Sequence, residues 1–260
     1  VAQESVQNDF SLAESYFRQG SYEKATQIYK KLYDKSEFNT TFLKLLISCY
    51  QQIDSFKTAE NLLQKNTDAR ALTFVNENGE SNPLSFSELT EKVARLSNEM
   101  RNNGIKKGDR IAGIMPNGIE TVIAMLATAS LGAIWSSCSP DFGLQGILDR
   151  FSQIRPKLLF GIDAYQYKGK IHDCLNKISP LLDAIDSIEQ VIICPFNKKS
   201  PNITSIPKTV LFEDYLSDDI TLKFEQVDFN HPLYIMYSSG TTGAPKCIVH
   251  SVGGTLLQHL

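Results

Sequence analysis

The stretch RIAGIMPNGIETVIAMLATASLGAIWSSCSPDFGLQGILDRFSQIRPKLLFGI (110–162) decides the fold. RIAGIM (110–115), AIWSSC (133–138) and KLLFGI (157–162) are short apolar runs of strand length. Between them, 118–131 and 144–154 read as helices. Strands alternating with helices imply an α/β fold with a parallel, doubly wound sheet. Residues 121–140 carry no charge and approach the length of a membrane span, about 20 apolar residues. The mid-segment Gly132 and the ending Ser-Ser-Cys-Ser-Pro favour a buried helix followed by a buried strand.

The pattern extends outward in both directions. Downstream, 170–182 reads as a helix and QVIIC (190–194) as a strand. Upstream, ALTFV (71–75) reads as a strand and Asn78-Gly79 as a hairpin turn. Ser85 and Glu88 have the spacing of a capping box. The helix they open has Leu89, Val93, Leu96 and Met100 on one face and stops at Asn103-Gly104. Near the end, strands LYIMY (233–237) and KCIVH (246–250) flank a loop rich in Gly, Ser and Thr.

That loop, YSSGTTGAPK (237–246), carries the chemistry. Its glycines let backbone N–H groups turn inward as an anion nest. Its hydroxyls can donate to phosphate oxygens, and Lys246 adds a positive point charge. The pattern suits a polyphosphate. It is not a Walker A loop, which needs Gly-x4-Gly-Lys-Ser/Thr leading into a helix.

YSSGTTGAPK resembles the phosphate loop of the adenylate-forming enzymes, the superfamily of acyl-CoA synthetases, luciferases and peptide-synthetase adenylation domains. Within it, AENLL (59–63), GDRIAGIMPN (108–117), MLATASLGAIWSSCSPDFG (125–143), DRFSQIRPKLLF (149–160) and IVHSVGG (248–254) are similar to the acetoacetyl-CoA synthetase family. The resemblance implies that 66–260 is the parallel-sheet part of an adenylate-forming N-terminal domain, truncated after the phosphate loop. It implies a ligase that joins acetoacetate to ATP, releases diphosphate, and passes the acyl group from AMP to coenzyme A. ATP, Mg2+ and coenzyme A are the implied cofactors and substrates. Ser238, Ser239, Gly240, Thr241, Thr242, Gly243 and Lys246 would hold the ATP phosphates, with magnesium bridging them. Lys168 and Lys170, in YKGK, fall where related enzymes place basic residues near coenzyme A; a solvated surface turn is the plainer reading. The family's adenine segment, hinge and C-terminal adenylation lysine are expected beyond Leu260, so catalytic residues are unassigned and the chain alone is expected to be inactive.

Residues 1–65 are different in kind. They contain no proline, and Tyr16/Tyr50, Tyr22/Phe56, Ala25/Ala59, Ile28/Leu62 and Tyr29/Leu63 are each 34 apart. That is the period of the tetratricopeptide repeat, and AESYFRQGSYEKATQIYKKLYDKSEFN (13–39) resembles it. Gly20 is expected at the turn between helices and Ala25 at their close approach. Asp54 replaces the second turn glycine, so the second copy is weaker. The fold class is therefore α/β, preceded by an all-α helical-repeat segment at 1–65, through which a protein partner could bind.

Composition narrows the remaining classes. The chain has 260 residues, is 42% hydrophobic, and has a net charge of −3, which argues against nucleic acid held by bulk charge. Five cysteines without a CxxC indicate neither a disulfide framework nor a zinc site, and a cytoplasmic setting fits. His172, His231, His250 and His259 lack metal-site spacing, so no metal ligand is expected. Asp141-Phe142-Gly143 spells a kinase motif but lacks its partners and reads as a turn. Cys138 and Cys247 read as buried small hydrophobes, Trp135 as core. Three alternatives stay open: another short-chain acyl-CoA synthetase, an interaction protein with a non-catalytic remnant, and two reading frames joined at TAENLLQK (58–65).

Overall fold

The computed structural model describes residues 2–35, 41, 45, 68–76, 79, 81–198, 200–238, 243 and 245–258. Two compact units are present, Val1–Ala69 and Arg70–Leu260.

In the first unit, α1 (Ala2–Arg18) and α2 (Tyr22–Lys35) are antiparallel neighbours. Gly20 makes the turn with φ +76°, a region a side chain would disfavour. Ala13 and Ala25 are fully buried at the contact, with Tyr29 and Leu32 beside them. Small residues let the two backbones approach, and the rings of Phe10 and Tyr29 fill the space around them, 6.2 Å apart. The residues expected to form a second, weaker repeat copy lie, for the most part, outside the described residues.

The second unit opens with an antiparallel ribbon, β1 (Arg70–Val75) and β2 (Ser81–Ser85). Gly79 turns between them with φ +79°, as the Asn-Gly pair predicts; Asn78 lies outside the described residues. Helix α3 (Phe86–Asn102) begins with the expected box: Ser85 Oγ accepts from the Glu88 N–H while Glu88 Oε2 accepts from the Ser85 N–H at 2.8 Å. Leu89, Val93, Leu96 and Met100 are buried, and Gly104 ends the helix at φ +78°.

Then come β3 (Arg110–Ile114), α4 (Ile119–Ser130), β4 (Ile134–Cys138), α5 (Leu144–Ile154) and β5 (Leu158–Ile162). The small ribbon β6 (Ala164–Tyr167) and β7 (Lys170–Asp173) follows, then α6 (Ile178–Ala184), β8 (Gln190–Cys194), β9 (Thr209–Leu211), β10 (Pro232–Ser238), β11 (Lys246–Ser251) and α7 (Val252–Gln258). The main sheet has the order β11-β10-β4-β3-β5-β8-β9, parallel except for β11. β4 lies on one side of β3 and β5 on the other. The chain therefore switches direction at β3, where doubly wound sheets open a crevice at the carboxyl ends of their strands.

Both faces of the sheet are covered, which is why its strands read as continuous apolar runs. Ile111, Trp135 and Phe160 pack with Leu96, Met100 and Ile123 on one face. Ala112, Ile114 and Leu159 pack with Ile147, Phe151 and Leu181 on the other. Neighbours in sequence fall in opposite cores because strand side chains alternate.

The helix expected over 170–182 is corrected. Only Ile178–Ala184 is α-helical; Lys170–Asp173 is strand β7. Lys168 and Gly169 have φ of 49° and 73°, the two positive values of a tight two-residue hairpin turn. Ile171, which the helical pattern would bury, is 64% exposed. β9 and α7 are further elements that the sequence pattern did not mark.

The long connection from β9 to β10 is tied down by hydrogen bonds to α3, to the end of α4 and to the turn that follows it. Arg95 Nε donates to Ser217 O at 2.8 Å, and Asn98 Nδ2 donates to Asp219 O at 2.8 Å. The Glu225 N–H donates to Ser130 O at 2.8 Å, and His231 Nε2 meets Gly132 O at 2.8 Å. These bonds deliver the chain to the start of β10.

Candidate functional site

β10 runs parallel to β4 and ends at Ser238; β11 returns antiparallel from Lys246. Ser238 and Lys246 are cross-strand partners. The hydroxyl and the ammonium group predicted to meet phosphate thus stand at the two feet of one hairpin, and Lys246 is exposed. Gly243, also exposed, has φ +105°, which favours glycine there. Ser239, Gly240, Thr241 and Thr242 lie outside the described residues.

The feet are held from below. Ser136 Oγ bonds to Ile235 O at 2.8 Å and to the Tyr237 hydroxyl at 3.0 Å. Burial pushes the Tyr237 phenol up to about 12, with the Ser136 bond opposing, so it stays protonated at neutral pH. Helix α5 reaches the same hairpin. The Arg150 guanidinium lies 4.2 Å from the Phe142 ring centroid and 5.6 Å from that of Tyr237. Gln153 Nε2 donates to Pro245 O at 2.8 Å, and its Oε1 accepts from Cys247 Sγ at 3.5 Å.

A cleft of about 640 Å³ opens beside β10, lined by Trp135, Ser137, Phe142, Arg150, Met236 and Tyr237 among others. A second, of about 590 Å³, lies towards β1 and α4 and shares Met125, Trp135 and Ser137 with the first. Arg150 makes no ion pair among the described residues, so the first cleft carries a cation beside three serine hydroxyls. Asp141-Phe142-Gly143 is a turn before α5, as expected. Lys177 Nζ fastens it by donating to Pro140 O at 2.7 Å and Phe142 O at 3.2 Å.

Lys168 and Lys170 lie on and beside the β6–β7 turn, both exposed, with the Lys168 ammonium 5.2 Å over the Tyr167 ring. Trp135 and Cys138 are buried as expected, and burial pushes the Cys138 thiol up to about 12. Cys247 is only half-buried, because it sits on the edge strand. Sequence reasoning missed Ser136, Arg150 and Gln153. The cue available was the i, i+3 spacing of 150 and 153 on one helix face, which by itself names no partner.

No helix among the described residues is long and apolar enough to cross a membrane.

A doubly wound sheet with a Ser/Gly/Thr loop on its last hairpin defines a class, and the sequence model of the AMP-binding enzymes matches residues 59–259: the chain belongs to that family. Within it, the chain is 49% identical over 212 residues to acetoacetyl-CoA synthetase of Danio rerio, covering 78% of this chain and 32% of that one. It is 49% identical over 205 residues to acetoacetyl-coenzyme A synthetase of Rhizobium meliloti (strain 1021), covering 78% and 31%. Among solved structures, acetoacetyl-CoA synthetase from Streptomyces lividans matches with a TM-score of 0.71 and 41% identity, over 75% of this chain and 30% of that one. The chain thus spans about a third of the length of these relatives.

Proposed function

We propose that the chain carries the phosphate-binding part of an acetoacetate–CoA ligase. The observation that carries this reading is the pairing of Ser238 with Lys246 at the feet of the YSSGTTGAPK loop, in a chain about half identical to acetoacetyl-CoA synthetases. In this reaction an acetoacetate carboxylate oxygen attacks the α-phosphorus of ATP and diphosphate leaves. The thiol of coenzyme A then takes the acyl group, and AMP leaves with the electron pair of the broken acyl–oxygen bond.

The loop's part is to hold the β- and γ-phosphates in line and to neutralise leaving charge, which is catalysis by positioning and electrostatics. Ser238, Ser239, Thr241 and Thr242 donate, Gly240 and Gly243 free the backbone N–H groups, and Lys246 supplies charge. No three His, Cys, Asp or Glu side chains among the described residues could hold a metal ion together. Mg2+, if it accompanies ATP here, would be carried chiefly by the nucleotide's phosphates, where it would offset their charge. Lys168 and Lys170, exposed at a tight turn, are the proposed contacts to the phosphates of coenzyme A. The catalytic residues of adenylation are expected past Leu260.

For residues 1–65 we infer a tetratricopeptide-like helical segment, and for 66–260 the ligase domain. Support for the first is the Gly20 turn and the Ala13–Ala25 contact. Val6 and Leu12 are 38% and 47% exposed on α1, and a protein partner for this segment is proposed from its resemblance to the repeat family alone.

The test is acetoacetate-dependent ATP–diphosphate exchange. It compares this chain with the same chain extended by the downstream part of the Rhizobium meliloti relative. Exchange by the extended chain alone is expected. Exchange with another short acid in place of acetoacetate points to a different acyl specificity. An extended chain that folds, yet exchanges with no acid, overturns the reading.

A further inference from the structure

We propose that α5 positions the phosphate loop, with Arg150 and Gln153 as the positioning residues that hold its outgoing and returning strands. The inference rests on the reading of 238–246 as a phosphate loop, and it adds a device for setting that loop's shape.

The two side chains are one turn apart on α5 and divide the hairpin between them. Arg150 faces Tyr237, the last residue of β10 before Ser238. Gln153 reaches Pro245 and Cys247, on either side of Lys246. Both of its amide hydrogens are used: Nε2 also donates to Asp149 O at 2.6 Å. A glutamine side chain on an exposed helix face normally samples many rotamers, and fixing it costs entropy. Three bonds to one side chain hold this one still.

Arg150 is fixed in the same way. One guanidinium nitrogen donates to Gly146 O at 2.7 Å, while the guanidinium carbon lies 4.2 Å over the Phe142 ring and 5.6 Å from that of Tyr237. A lysine could keep the charge, but its compact ammonium could not reach both rings while bonding Gly146 O as the broader guanidinium does. Phe142 belongs to the turn that Lys177 fastens. The chain of contacts therefore runs from that turn through Arg150 to β10, and from α5 through Gln153 to β11. Loop donors act on a transition state only if they stand still before it forms. An edge hairpin has a neighbour on one side alone and needs such support.

The experiment uses the whole chain, as R150K and Q153M, with two readouts. The first needs no ligand: amide hydrogen exchange across 239–246, with β5 and β8 as internal controls. The second is inorganic tripolyphosphate binding by calorimetry. Either variant is expected to speed loop exchange and weaken tripolyphosphate by about tenfold, the upper scale of one lost hydrogen bond, with β5 and β8 unchanged. Unaltered loop exchange in both variants overturns the proposal. So does faster exchange throughout the sheet, which marks a purely structural role. If Q153M does not fold, R150K decides. If the unsubstituted chain binds no tripolyphosphate, the phosphate-loop reading fails, while the exchange measurement still decides whether α5 holds the hairpin.

Discussion

The indole of Trp135 lies against the backbone of Gly113. A Cβ on Gly113 would stand 2.8 Å from Cη2 and 3.0 Å from Cζ2 of that ring. Trp135 sits on β4 opposite Ile111, and its ring reaches diagonally over β3. Only a residue without a side chain at 113 leaves room for the ring, which lines both clefts.

Gly113→Ala should therefore destabilise the Arg70–Leu260 unit by about 1–3 kcal/mol through overpacking. Urea unfolding would measure it. The double variant with Trp135→Phe removes the clashing atoms, so its cost should be less than the sum of the two single costs. Simple additivity would show that the contact is not what excludes alanine.

Asp163, 2% exposed, accepts three backbone N–H groups: Oδ1 from Phe196 at 2.7 Å and Asn197 at 3.0 Å, Oδ2 from Lys198 at 2.8 Å. Asp163→Asn keeps the shape and turns one acceptor into a donor facing an N–H. A loss of about 1.5–3 kcal/mol is expected, the scale of a hydrogen bond to a charged group. Faster proteolysis after β8 should accompany it; an unchanged urea midpoint would be incompatible.

Alkaline stability should be limited by buried thiols and phenols. Burial raises Cys138 from its ordinary 9.0 to about 12, and Tyr237 from 10.0 to about 12. A group whose folded pKa is raised contributes stability that is complete below its unfolded value and is lost as pH climbs through the folded one. For Cys138 the window is 9.0 to about 12. Urea midpoints should fall across it, and Cys138→Ala should make the fall shallower. An identical slope in that variant would exclude the thiol.

In the extended, exchanging chain, Thr242→Val removes one hydroxyl from the loop. If that hydroxyl serves the transition state, diphosphate exchange should drop about 10²-fold or more, as for one oxyanion-type donor. An unchanged rate would assign the work to backbone N–H groups.

Alkylation at neutral pH should order the described cysteines by exposure. Cys247 is half-buried on the edge strand, whereas Cys138, Cys174 and Cys194 are buried. Mass mapping after brief iodoacetamide treatment should find Cys247 labelled first. Earlier labelling of Cys194 would contradict the packing of β8.

Strands β3, β4, β5 and β8, helices α3, α4 and α5, and the Ser85–Glu88 box were legible in the sequence. Each is decided by contacts within a few residues, or by an apolar run that must be buried on both faces. The YSSGTTGAPK motif could be read as a run of residue types suited to phosphate, and that reading remains a proposal. Residues 170–173 were not legible. Their apolar spacing fits a helix as well as a strand, and the Lys168–Gly169 turn that settles the choice depends on backbone angles. Tertiary structure alone decided the strand order, and with it the pairing of β10 with β4. It alone brought Gln153 to Pro245 across 92 residues of chain, and Ser136 to Tyr237 across 101. Local sequence sets which elements form; which of them meet depends on how their apolar faces are shared out, and that is a property of the whole chain.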